Sequence, residues 1–292
     1  MASERFALIT GCGYGGIGHA LASRLRKEKF EVIATLLPHE DAHHLESEGI
    51  HVTRTDVTKD ESVEELKQTL QKLTGGRLDI LINNASVQAP SSITGYTMPA
   101  TDTKAAEVQK MFSVNVFGPM RVVHYLHPFL IAAKGVIVNT GSIGGVCPYV
   151  YGASYNASKA ALQHYGNTLR VELRPFGVRV VNVISGEVAT NILKNDHGRS
   201  LPEDSVYYPM NDAFVAHLHR TPDAMKPDQY AAGVVKEILK KSPAAWFWFG
   251  NSSGLIRFID TFLPRTFWDW FFGRLFGLGK LADTQPGKIR LS

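Results

Sequence analysis

The sequence predicts an α/β protein built on a doubly wound parallel sheet, and three observations predict it. Short β-branched runs alternate with amphipathic helical stretches through two thirds of the chain, the pattern of repeated βαβ units. A glycine-rich turn follows the first run directly, where a parallel sheet meets a ligand. With 292 residues, 44% hydrophobic and 20% charged, the chain can bury one large core.

The elements follow in order. Phe6 to Thr10 is the first strand candidate, and Thr10 to Gly18 reads T-G-C-G-Y-G-G-I-G before the helical pattern His19 to Lys29. Glycines let backbone approach a phosphate, and the following helix offers free N–H groups at its positive end. Gly11, Gly15, Gly16 and Gly18 are therefore candidates to cradle a dinucleotide. Further strands are expected at Glu31 to Leu36, His51 to Thr55, Leu78 to Asn83, Gly135 to Thr140, Val178 to Ile184 and Ala244 to Phe249. Helices are expected between them, as at Ser62 to Leu73, where Val63, Leu66, Leu70 and Leu73 fall on one face, and at Ala153 to Leu173. Ser86 to Lys104 and Gly186 to Pro227 break the rhythm after the ends of strands and are expected to wall a substrate site.

The charge of +4 comes without a long basic run, so no nucleic-acid partner is expected. Cys12 and Cys147 are the only cysteines and form no paired motif, which suits a reducing, cytoplasmic setting. Met1 leads into the first strand without the pattern of a secretory signal. The N-x-S matches at Asn84, Asn156 and Asn251 are read as chance. His39, His43 and His44 are read as a surface helix start, so no metal is assigned.

The chemistry concentrates in Ser142 to Lys159. Tyr155 and Lys159 stand one helical turn apart and share a face, so an ammonium can stabilise an ionised phenol. Bringing a phenol from about 10 to roughly 7 needs about 4 kcal/mol. One ammonium about 4 Å away, at an effective dielectric of about 20, supplies that much. Ser142 fits as a hydrogen-bond donor to a substrate oxygen on which charge develops. The set is an acid/base device for carbonyl chemistry.

Gly11 to Gly18, N-N-A-S at Asn83 to Ser86, V-N-V-F-G at Val114 to Gly118, Ser142, and Y-N-A-S-K at Tyr155 to Lys159 together resemble the short-chain dehydrogenase/reductase family over about residues 5 to 250. The resemblance implies a seven-stranded Rossmann sheet over residues 1–250, followed by a helical extension over 251–292. It implies a catalytic tetrad of Asn115, Ser142, Tyr155 and Lys159, with Tyr155 moving the substrate proton. It also implies cofactor contacts from Ile17 in the glycine loop, from Asp56, Val57, Asn83 and Ala85 on the adenosine side, and from Tyr155, Lys159, Val188 and Thr190 near the nicotinamide, with Lys159 holding its ribose. The sequence departs from the family pattern at an extra loop residue, at Ser86 and at Ser185, none of which removes a catalytic group.

An acidic residue at the end of the second strand favours NAD(H) and a basic one NADP(H). Ala34 to Pro38 carries neither, and the missing acid points to NADP(H) over NAD(H). A nearer resemblance is to a fungal subgroup related to 1-acyldihydroxyacetone-phosphate reductase and to tailoring enzymes of secondary metabolism. It implies a hydrophobic ketone or secondary alcohol, with 1-acyldihydroxyacetone phosphate as an alternative substrate. A non-redox isomerase, dehydratase or cyclase that keeps the nucleotide is the alternative reaction. Tyr149, Tyr151, Met210 and Phe214 are candidates for an apolar pocket.

Beyond Gly250, Leu255 to Leu263 forms an apolar face, and Phe267 to Leu278 is apolar nearly all round. Charges at Asp260, Arg265, Asp269 and Arg274 argue against a membrane span. The tail is read two ways: a peripheral membrane contact through 255–278, on endoplasmic reticulum or lipid droplets, or packing on the enzyme's own surface, on a second copy or over the substrate entrance. The family resemblance implies a homo-oligomer.

Overall fold

A computed structural model describes residues 4–86, 97–190, 198–220 and 223–282. Seven parallel strands form one sheet: β1 (Phe6–Ile9), β2 (Glu31–Leu36), β3 (His51–Arg54), β4 (Ile80–Asn83), β5 (Val136–Thr140), β6 (Arg179–Ser185) and β7 (Trp246–Phe249). Their order across the sheet is β3-β2-β1-β4-β5-β6-β7. Helices α1 (Ile17–Lys27), α2 (His43–Glu46), α3 (Asp60–Thr74), α4 (Ala105–Phe112), α5 (Gly118–Ala133) and α6 (Ala153–Leu173) precede β6. After it come α7 (Asn211–Leu218), α8 (Pro227–Ile238), α9 (Ser253–Phe262), α10 (Phe267–Leu275) and α11 (Gly279–Ala282).

The sequence pattern explains the layers. A strand covered by helices on both faces must be apolar on both faces, and β1, β2, β4, β5 and β6 meet that requirement with runs of Ala, Val, Leu and Ile. Ile9, Ala34, Ile82, Val138 and Val183 pack on one face with Leu21 and Leu25 of α1 and Tyr230 and Val234 of α8. Leu8, Ile33, Leu81, Ile137 and Val180 pack on the other with Leu66 of α3, Leu126 and Leu130 of α5 and Leu169 of α6. The sheet order reverses between β1 and β4, which opens a crevice at the carboxyl ends of those two strands.

A polar row interrupts this apolar interior. Asn83, Asn139, Asn182 and Trp246 stand in register across β4, β5, β6 and β7. Asn83 Nδ2 donates to Asn139 Oδ1 at 2.9 Å, and Asn139 Nδ2 donates to Asn182 Oδ1 at 3.2 Å. Asn182 Nδ2 donates to the Gln163 carbonyl and to Asn167 Oδ1, both on α6, and Trp246 Nε1 also donates to Asn167 Oδ1. Gly166 lets α6 lie close to the row, since a Cβ there would collide with Asn182 Oδ1. The ladder thus seats α6 on the sheet.

The segment after β7 folds back on the molecule. Ile256 and Ile259 of α9 and Trp268 and Phe272 of α10 are buried with Cys147, against Ile143, Tyr149 and Trp248. Pro264 lies between the two helices, where it cannot continue α9. Leu255, Phe258, Phe262, Trp270 and Leu275 stay exposed. Among the described residues no helix is long and apolar enough to cross a membrane.

Candidate active site

The crevice begins at the glycine loop. Gly11 and Gly15 have φ of +71°, a conformation that side chains disfavour, and a Cβ on Gly18 would strike the Gly11 carbonyl. Thr10 Oγ1 accepts from the backbone N–H groups of Asn84 and Ala85, while Asn84 Nδ2 donates to the Thr10 and Gly11 carbonyls. Thr35 Oγ1 accepts from Gly11 N, and the His19 ring accepts from Gly15 N. The loop is therefore a glycine-rich cradle, tied by these bonds, ahead of the amino end of α1, where Gly16 caps the helix without a side-chain bond. That arrangement fits the pyrophosphate of a dinucleotide.

The other expected cofactor residues take different positions. Ile17, Val188 and Thr190 line the cleft. Ala85 packs against Gly11. Asp56 is pushed up by burial but held below the usual carboxylate range by bonds from Thr58 and the Lys59 charge. The Val57 side chain is buried in the core beside Gly118, and the Asn83 side chain belongs to the carboxamide ladder, so Asn84 takes the place beside the cleft. At the end of β2, Arg54 of β3 reaches the Leu37 and Glu40 carbonyls, and Glu40 Oε2 accepts from Leu37 N. Each sign of charge absent from Ala34 to Pro38 is thus brought to that strand end by a residue beyond it. Of the histidines on that helix start, His44 places its Nε2 2.9 Å from the Cys12 carbonyl.

At the other end of the cleft, Ser142, Tyr155 and Lys159 come together. Ser142 follows β5 and Oγ accepts from Gly144 N at 3.0 Å, which pins its rotamer. A Cβ on Gly144 would lie 3.4 Å from Ser142 Oγ and 3.5 Å from Tyr155 Cε1, so hydroxyl and phenol ring flank one point. Lys159 is buried; its Nζ lies 5.7 Å from the centre of the Tyr155 ring and donates to the Thr140 carbonyl at 3.0 Å. Burial pushes the Lys159 ammonium down to about 8, so it still carries its proton at neutral pH. Asn115 sits in a π-helical turn, Ser113–Phe117, between α4 and α5. Its Nδ2 donates to Ser158 Oγ at 3.1 Å, and Ser158 Oγ donates to the Tyr155 carbonyl at 2.8 Å. The four candidate catalytic residues thus converge through α6.

The candidate pocket residues divide. Tyr149 lines the cleft, whereas Tyr151, Met210 and Phe214 are buried, and Tyr151 and Phe214 build a small separate core with Leu201 and Leu218. Of the expected walls, residues 87–96 and 191–197 lie outside the described residues, while Thr97, Glu187, His217 and Arg220 line the cleft. Glu187, His217 and Arg220 escape sequence reasoning because they occupy an aperiodic stretch. The Asn84 and Asn156 side chains both face the same cleft, which accounts for those two N-x-S matches as site residues.

A parallel sheet with a glycine cradle at its switch point and a Ser, Tyr and Lys across the crevice defines a dinucleotide-dependent oxidoreductase of the Rossmann class. The chain belongs to the short chain dehydrogenase family, whose pattern it matches over residues 5–199. It is 61% identical over 285 residues to the short-chain dehydrogenase RED1 of Pyricularia oryzae, covering 97% of this chain and 98% of that one. It is 44% identical over 213 residues to an NADPH-dependent 1-acyldihydroxyacetone phosphate reductase of Schizosaccharomyces pombe, covering 72% of this chain and 70% of that one. A short-chain dehydrogenase structure from Streptomyces avermitilis shares the fold at a TM-score of 0.73 and 23% identity, covering 97% of this chain and 98% of the other.

Proposed function

We propose that this enzyme interconverts a hydrophobic ketone and its secondary alcohol with NADP(H). The carrying observation is the Lys159 side chain, buried with its Nζ 5.7 Å from the centre of the Tyr155 ring in a cleft that Ser142 also lines. A bound nicotinamide dinucleotide would supply or accept the hydride at the substrate carbon. Tyr155 Oη gives its proton to the ketone oxygen in reduction and removes the alcohol proton in oxidation. The Lys159 charge stabilises the phenolate that reduction leaves. Ser142 donates to the same substrate oxygen as negative charge grows there. Asn115 acts through Ser158, holding the first turn of α6 so that Tyr155 faces the cleft.

Support for NADP(H) comes from the reductase of Schizosaccharomyces pombe, named as NADPH-dependent. The apolar Ile143, Cys147 and Val150 in the cleft support a hydrophobic substrate. A panel of aryl and long-chain ketones with NADPH or NADH, followed at 340 nm, tests the reading. Turnover is expected with NADPH at lower cofactor concentration; consumption of a ketone without any change at 340 nm would overturn the redox assignment. The exposed apolar face of α9 and α10, beside Arg257, Arg265 and Arg274, supports peripheral attachment to a lipid surface. Liposome flotation of the full chain against a version ending at Gly254 checks that attachment, and equal recovery in the soluble fraction would dismiss it.

A further inference from the structure

The cleft has a second polar end that takes no part in moving a proton or a hydride. Tyr149, Glu187, His217 and Arg220 line it. The Arg220 guanidinium carbon lies 5.8 Å from the centre of the Tyr149 ring. Its Nη1 donates to the His217 carbonyl at 2.9 Å. Among the described residues the guanidinium makes no other hydrogen bond and no ion pair, although an arginine carries five N–H donors. Glu187 is near enough to feel the charge but is not paired with it. Burial raises the Glu187 carboxyl, and Arg220 pulls it back only in part.

The neighbours leave Arg220 as the standing cation of this end. Burial and the Arg220 charge hold His217 down to about 4, so its imidazole is neutral at pH 7. Tyr149 is pushed up by burial and stays a neutral phenol, with its oxygen 3.5 Å from His217 Nε2. Tyr149 is backed by the tail, since Phe272 and Phe276 meet its ring edge to face at 5.5 and 5.3 Å. A guanidinium over an aromatic ring, with most of its donors unspent among the described residues, gains most from an oxygen anion, which it can grip with two parallel hydrogen bonds.

We propose that Arg220 sets substrate specificity by receiving an anionic oxygen, of a carboxylate or a phosphate, that the substrate carries away from its reacting carbon. The inference rests on the ketone and alcohol reading for what lies at the other end of the cleft. The substrate class is then an amphiphile: a carbonyl or carbinol for Tyr155, an apolar body against Tyr149 and Val150, and an acidic group for Arg220. Calorimetry on the full chain, with and without NADP⁺, tests this with 2-naphthoate, 2-naphthyl phosphate and the neutral 2-naphthamide. At least one acid is expected to bind about tenfold or more tightly than the amide, and the better of the two acids identifies the anion. Arg220→Gln is expected to weaken that acid about tenfold while leaving the amide within about twofold, and Arg220→Lys to restore part of the loss. Equal binding of acids and amide, no acid binding at all, or equal losses for acid and amide in Arg220→Gln would overturn the proposal. Calorimetry needs no turnover, so a ketone panel silent at 340 nm would fault the redox reading alone, and the anion preference would still stand or fall on the binding data.

Discussion

Lys159 holds its amino group out of water, where burial lowers its affinity for the proton while one carbonyl and the face of one phenol ring meet it. In the proposed reaction Tyr155→Phe is expected to lower kcat about 10²- to 10⁴-fold while the dinucleotide Kd, by fluorescence titration, stays within about threefold. His217 gives a separate pH signature. Its value is 6.5 in the unfolded chain and about 4 in the folded one, so between those values the unfolded state binds more protons. Stability is expected to fall as pH drops from about 6.5 toward about 4 and to be flat above, with His217→Gln flattening the acid limb in urea melts at pH 4.5 and 7. Tyr155 and Lys159 are legible in the sequence because helical spacing alone puts them on one face. Tyr151 and Phe214 are not separable there from Tyr149, since an aromatic residue near a cleft and one in a small second core look identical in a linear sequence. Arg220 gives no signal at all, because its role depends on where an aperiodic segment crosses the cleft.

At the scale of elements, the carboxamide ladder joins four strands to α6, the helix that carries Tyr155 and Lys159. Asn139→Val is expected to strand a donor of Asn83 and an acceptor of Asn182 and to cost about 2–4 kcal/mol in urea denaturation. Gly166→Ala should act in the same direction by lifting α6 off the row. In the tail, Trp268 is buried against Phe272, and Trp268→Ala is expected to cost about 3–5 kcal/mol and to loosen the aromatic wall behind Tyr149. The five inner strands are legible in the sequence because runs buried on both faces are continuous and apolar, while the edge strands β3 and β7 are short runs marked by β-branched and by aromatic residues. The apolar pattern overshoots their ends slightly where the last residue turns into a loop, as at Thr10 and Thr55. The ladder is not legible: three asparagines in three strands form a row only once the register is known.

For the whole molecule, the cofactor and the fold are linked. Saturation with NADPH at about a hundredfold over its Kd is expected to add about 2.7 kcal/mol, or roughly 5–8 °C of Tm by differential scanning fluorimetry, with less from NADH at equal concentration. We propose a homo-oligomer, and Phe117, Val171 and Phe176 are exposed on the side of α5 and α6. Val171→Glu combined with Phe176→Glu is expected to shift elution toward the monomer in size-exclusion chromatography.

The tail's place against Tyr149 also has a consequence for how the enzyme is made. The glycine cradle and its supports lie within residues 10–35 and 84–85, whereas the rings that pack on Tyr149 are Phe272 and Phe276. At about 5–20 residues per second, a ribosome needs roughly 10–40 s to cover the ~190 residues between them. Throughout that interval Tyr149 lacks the rings that back it, so this end of the cleft takes its final form only after Phe276 has been made.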